Sequence, residues 1–265
     1  MQTQIMEPNL AETERFLEIP SLPMEKVSSV IISGEYPAIC KSLEQRSIWV
    51  MRTKPSQRLP VPTQFHADML CCYLGKGILA VAKGENQMQD AAVSFELQTI
   101  LTDEPLSGQY PGDAGCNILQ IGSRVFLNPK SADTGLQRTL KHFQIYATAQ
   151  GYTRCAAAIV DQNSVITADM GLSMVLKRAG LTVLEIQPGA IRLPGYPYGF
   201  IGGCCGLIAP NQLAFTGSLG FHPDSQKIKS FLQERGVQWI ELTNEPLLDI
   251  GGIIPITERV QAQNK

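Results

Sequence analysis

The sequence predicts an α/β fold of about five strand–turn–strand–helix units, closed into a five-bladed β/α propeller with pseudo-fivefold internal repeats. Two observations point there most directly. Residues 131–143 (SADTGLQRTLKHF) and 167–180 (TADMGLSMVLKRAG) share Ser/Thr-Ala-Asp-x-Gly-Leu, three residues, then Leu-Lys. Each follows an apolar hairpin pattern, CNILQIGSRVFLNP at 116–129 and AAAIVDQNSVITAD at 156–169. The same frame, an apolar run, a turn of Gly, Asn, Pro or Asp, and a second β-rich run, recurs at 69–82 and 204–217.

The elements follow in order. The residues just before the four hairpins are Asp68, Gly115, Cys155 and Gly203, at steps of 47, 40 and 48. A similar step lands near Gly252 in DIGGIIPIT, which makes about five units. After the second hairpin of the shared motif, residues 174–179 read as helix, Gly180 stops it and LTVLEI returns as a strand. Ile228, Phe231 and Leu232 keep helical spacing, Gly236 is a C-terminal stop, and 237–242 is again a strand. Asp133, Asp169 and Asp224 each precede a helix and read as N-caps. A unit of this size cannot bury its apolar face alone, whereas five stacked or closed ones can. The competing fold is a doubly wound α/β sheet with similar local alternation.

Composition narrows the class. The chain has 265 residues, 44% hydrophobic and 17% charged, with 22 basic and 24 acidic residues. We expect a single domain over 1–265, with 1–26 as an N-terminal extension. No basic cluster exceeds a pair, which argues against nucleic acid as partner. No apolar run has the length of a membrane span, and the polar N-terminus lacks a signal-peptide pattern, so a cytoplasmic protein is expected. A homo-oligomer is compatible with all of this. Seven cysteines read as reduced thiols, and neither Cys71-Cys72 nor Cys204-Cys205 has zinc-knuckle spacing. No metal and no cofactor are expected: no GxGxxG follows a strand and no GxxxxGK[ST] occurs.

The repeat, together with Phe65-His66-Ala67-Asp68 ahead of an apolar strand, resembles the guanidine-group-modifying superfamily, the penteins. The segments GYPYGFIGGCCG, FTGSLGFHPD and LLDIGGIIPI look like an uncharacterised bacterial family of that fold. The resemblance implies a five-bladed β/α propeller, with a His as acid/base and an Asp that clamps a guanidinium. Catalytic penteins also carry a nucleophilic Cys near the C-terminus and a Glu-Gly-Gly-Asp segment. Here no Cys follows Cys205, and the nearest counterpart of the acidic segment is 111–115, PGDAG.

If the units close on an axis, the pre-hairpin residues His66, Asp68, Asp113, Cys155, Gly202, Gly203, Cys204 and Asp249 gather there. His66 and Asp68, at i and i+2 of a strand, would face one ligand, or form a structural pair. Cys155 and Cys204 are the candidate thiols, each equally readable as a small buried hydrophobe. Asp249 and Asp113 are candidate clamps. The segment 194–203, with Tyr196, Phe200, Gly202 and Gly203, is a candidate binding loop or a plain turn. Two function classes stand: a small-molecule binding module without an intact deiminase site, or a hydrolase or amidinotransferase using Cys155 or Cys204, His66 and Asp68.

Overall fold

A computed structural model describes residues 13–260. It is a mixed α/β fold of five small sheets. Strand β1 (Thr13–Phe16) is followed by β2 (Val27–Ile32), α1 (Pro37–Glu44) and β3 (Trp49–Arg52). The next unit runs α2 (Ala67–Leu70), β4 (Cys71–Gly75), β5 (Ile78–Lys83), α3 (Asn86–Ser94) and β6 (Gln98–Pro105). Then come β7 (Leu119–Ile121), β8 (Arg124–Leu127), α4 (Thr134–Thr139) and β9 (Gln144–Ala147). After these follow α5 (Thr153–Ala156), β10 (Ala157–Asp161), β11 (Ser164–Thr167), α6 (Met170–Arg178) and β12 (Thr182–Glu185). The chain ends with β13 (Cys205–Ala209), β14 (Gln212–Phe215), α7 (Ser225–Glu234), β15 (Gln238–Glu241) and β16 (Ile254–Val260).

Four sheets have one topology: β4-β5-β6, β7-β8-β9, β10-β11-β12 and β13-β14-β15. In each, the first pair is an antiparallel hairpin and the second pair is parallel. A parallel neighbour demands a crossover, and a helix supplies it every time. The fifth sheet, β1-β16-β2-β3, reaches the same arrangement from the two ends of the chain. There β16 takes the place of the hairpin's first strand, antiparallel to β2, while β2 and β3 are parallel across α1. The fifth apolar run expected near Gly252 is therefore a strand whose partner lies at the other end of the sequence. Part of the supposed extension, residues 13–16, is structural as well, because β1 pairs with β16.

Local chemistry accounts for the helices. Asp133 and Asp169 accept hydrogen bonds from Leu136 N (3.0 Å) and Leu172 N (2.7 Å), so both cap as expected. Asp224 does not cap α7; its carboxylate takes Gln187 N at 2.6 Å and the Lys227 ammonium at 2.7 Å. Gly180 and Gly236 follow α6 and α7 at φ +82° and +66°, the left-handed exit that a glycine accepts without strain. The core of the described residues falls into four clusters, one of which joins β8, β11, α6, β14 and α7 through Phe126, Ile166, Leu172, Leu176, Phe215 and Leu232. Strands β10 and β13 are buried almost throughout, which is why they read as unbroken apolar runs rather than alternating ones. No helix among the described residues is long and apolar enough to cross a membrane.

Candidate functional site

The turns that lead into the first strand of each sheet meet at one cavity. His66, Tyr152, Phe200 and Asp249 stand five residues before β4, β10, β13 and β16, and Asp113 stands six before β7. All five line a cavity of about 270 Å³, together with Cys155, Thr63, Met69, Leu193, Tyr196, Pro197 and Tyr198. Position in the repeat thus decides which side chains reach the cavity.

The turns before β4 and β10 are not strands, as the sequence suggested, but the short helical turns α2 and α5. This matters for His66 and Asp68. His66 precedes α2 and lines the cavity, with Nδ1 3.8 Å from Asp249 Oδ1 and Nε2 buried without a partner. Asp68 sits inside α2 and points behind the cavity wall, where Oδ2 accepts the Cys155 thiol at 2.6 Å and Oδ1 is unpartnered. The two residues act on different neighbours and do not share one face.

Cys155 is 3% exposed and lines the cavity. Burial pushes its thiol well up, and the charges of Asp68 and Asp249 add to that, so it stands as a thiol donating to Asp68. Asn117, which the sequence reading missed, holds this turn in place. Its Oδ1 accepts Arg154 N (2.8 Å) and Cys155 N (3.1 Å), and its Nδ2 donates to Cys155 Sγ (3.2 Å) and Asp68 O (3.4 Å). Asn117 stands two residues before β7, as Cys155 stands two before β10. That equivalence was the available signal, and a frame that set Gly115, two residues earlier, against Cys155 concealed it.

Asp249 is held by backbone: Oδ2 accepts Phe200 N at 2.8 Å and Oδ1 accepts Gly251 N at 3.1 Å. Burial raises its carboxyl, His66 opposes the rise and Asp68 adds to it. On another part of the wall, Asp113 Oδ2 accepts the Tyr152 hydroxyl at 2.9 Å, and Oδ1 is buried with no partner. Burial raises this carboxyl also, against the Tyr152 hydrogen bond. Tyr110, Tyr152, Phe200 and Tyr198 run ring to ring at centroid separations of 5.7, 6.2 and 6.4 Å.

Gly202, Gly203 and Cys204 lie outside the cavity lining. A Cβ on Gly203 would overlap the Asp249 carboxylate, and one on Gly202 would overlap the carbonyl oxygens of Arg154, Cys155 and Ala157. These glycines admit the carboxylate and the neighbouring turn; they do not touch the space a ligand would fill. Cys204 is fully buried, its Sγ donating to Ile201 O at 3.1 Å, so it has no access to the cavity. Of the two candidate thiols, Cys155 alone reaches it. Tyr196 and Phe200 line it as expected. Arg154 faces away: its guanidinium lies 3.4 Å from Gly202 O and 3.5 Å from Ile253 O, and it lowers Cys72 and Cys205 but not Cys155. Among the described residues, no three His, Cys, Asp or Glu side chains group to hold a metal ion.

Several solved structures share this fold. An inosamine-phosphate amidinotransferase from Streptomyces griseus matches with TM-score 0.56 at 10% identity, over 90% of this chain and 94% of that one. An amidinotransferase of saxitoxin biosynthesis from Microseira wollei matches with 0.54 at 11%, over 87% and 91%. The agmatine deiminase of C. jejuni matches with 0.53 at 13%, over 89% and 93%. All are penteins, so the resemblance seen in the repeat holds for the fold. No curated protein sequence matches the chain. Residues 31–254, which span every turn that builds the cavity, match one sequence family, and the chain belongs to it: the Family of unknown function (DUF6873).

Proposed function

We propose that this protein binds a small organic cation, a guanidinium or a related planar nitrogenous group, in the cavity described above. In this reading 1–265 form a single domain, a five-bladed β/α propeller whose central channel is the cavity. One observation carries the reading: the cavity presents two buried carboxylates, Asp249 and Asp113, and no Lys or Arg. Buried acids without a fixed counter-charge are costly, and a cation that forks hydrogen bonds onto them relieves the cost. The aromatic wall supports the same choice, because ring faces attract cations. Calorimetry with methylguanidine, guanidinium-bearing amines and matched neutral ureas tests it. Binding of the cations and not the ureas is expected, and equal binding of both sets would refute it.

A second reading is favoured by the place of Cys155, whose thiol lines the cavity on a hydrogen bond to Asp68. There the protein is a hydrolase or amidinotransferase. The thiol would give its proton to Asp68, attack the central guanidinium carbon, and His66 would protonate the departing amine. The raised thiol weighs against this unless a bound cation helps to ionise it. Treatment with 2-chloroacetamidine and mass spectrometry separates the two readings: a label on Cys155, lost in Cys155→Ser, supports the enzyme, and an unlabelled thiol supports the binding module.

A further inference from the structure

The carboxylates of the cavity occupy two separate stations. Asp249 belongs to one, with His66 Nδ1 at 3.8 Å. Asp113 belongs to the other, fixed on Oδ2 by Tyr152 and bare on Oδ1 although only 5% of the residue is exposed. The two are held by different neighbours: Asp249 Oδ2 accepts Phe200 N, Asp113 Oδ2 accepts the Tyr152 hydroxyl, and the Tyr152 and Phe200 ring centroids are 6.2 Å apart. Between the two stations run the rings of Tyr152 and Phe200, and the half-exposed Tyr196 and Tyr198 stand at the rim. Of the described residues lining the cavity, the only one able to carry positive charge is His66.

This rests on the cation-binding reading and narrows it. We propose that the ligand is an elongated cation without a carboxylate, its planar nitrogenous head on Asp249 and a second donor, an amine, on the free Oδ1 of Asp113. A zwitterionic amino acid fits poorly: its carboxylate would enter a site already holding two acids, with no Arg or Lys to receive it. An amine there makes a charge-assisted hydrogen bond to an oxygen that otherwise has none. The alkyl stem between the two ends lies along aromatic faces.

Three compounds of equal stem length test this by calorimetry on the full chain: 4-guanidinobutylamine, butylguanidine and 4-guanidinobutanoate. The amine is expected to bind about tenfold tighter than butylguanidine, and the carboxylate about tenfold weaker. Asp113→Asn should remove the amine's advantage, bringing it to within about twofold of butylguanidine measured on the same variant. The wild-type ranking needs no variant, so a poorly folding Asp113→Asn would not spoil the test. If the carboxylate compound matches the amine, or Asp113→Asn weakens both other compounds alike, the two-station proposal is overturned and cation binding stands. If none of the three binds, both fall.

Discussion

The turns before β4 and β10 and the turns before β13 and β16 build one cavity by opposite means. The first two are short helical turns loaded with functional groups, His66 and Asp68 on one side, Arg154 and Cys155 on the other. The second two carry paired glycines, Gly202-Gly203 and Gly251-Gly252, and leave room for their neighbours. Gly251 sits at φ +79°, and a Cβ there would strike the backbone of His66. Asp249 is admitted by this emptiness, since its carboxylate occupies the space a Gly203 side chain would need. Equivalent backbone positions thus have unequal duties: the turns before β4 and β10 bring His66 and Cys155, while the glycines of the other two make room for Asp249.

The contrast breaks most visibly at Gly203. Gly203→Ala should drive the Asp249 carboxylate out of place, cost about 1–3 kcal/mol or more in urea denaturation, and abolish cation binding in calorimetry. Unchanged binding would mean that Asp249 has another seat. Next comes Asn117→Ala, which strips two backbone N–H groups of their acceptor on the loaded side. We expect a loss of about 2 kcal/mol, read by the same denaturation curves. Cys155 sharpens the comparison further. Cys155→Ser keeps a donor for Asp68 and should cost less than Cys155→Ala, which leaves a buried carboxylate oxygen bare at about 1–3 kcal/mol; equal losses would show that the bond contributes nothing.

Acidity gives a subtler effect. Burial raises Asp249, and around it stand His66, Asp68 and Cys155. A folded-state value above the unfolded one means that the native protein holds the proton longer. Its contribution to stability is therefore greatest below the ordinary carboxylate range and falls as pH rises through the raised value. Cation binding runs the other way, because it needs the ionised carboxylate: affinity should rise over that same interval, with proton release detectable in buffers of different ionisation enthalpy. The smallest change is expected at a helix cap outside the cavity lining. Asp169→Ala removes the cap of α6 at about 1 kcal/mol and should leave binding untouched.

Much of the fold was legible because it is written in local chemistry. The hairpins at 71–83 and 119–127 sit where apolar runs flank turn residues, and two of three suggested aspartate caps do cap. What escaped was of two kinds. Four-residue helical turns such as α2 and α5 are too short to show a period, so His66-Ala67-Asp68 looked extended and its two side chains looked parallel. The other kind is long-range. Nothing near β16 announces that its partners are β1 and β2, and nothing near Asn117 announces Cys155. The site was partly visible, in His66, Asp113, Cys155, Tyr196, Phe200 and Asp249, because the repeat indicates which positions converge. Cys204 resembled Cys155 in sequence but stands one residue before β13 where Cys155 stands two before β10, and its Sγ turns to Ile201 O.

The sheet shared by the two chain ends also sets a timetable. Glu258 in β16 reaches Arg15 across 243 residues of sequence and receives the backbone of Met24 and Glu25. Asp249 comes just before that strand. On a ribosome, four sheets are translated before the carboxylate that completes the cavity exists, and β2 waits for most of synthesis before β16 is made. A nascent chain therefore lacks the Asp249 part of the cavity wall until late, and the segment that supplies it also fastens the first sheet.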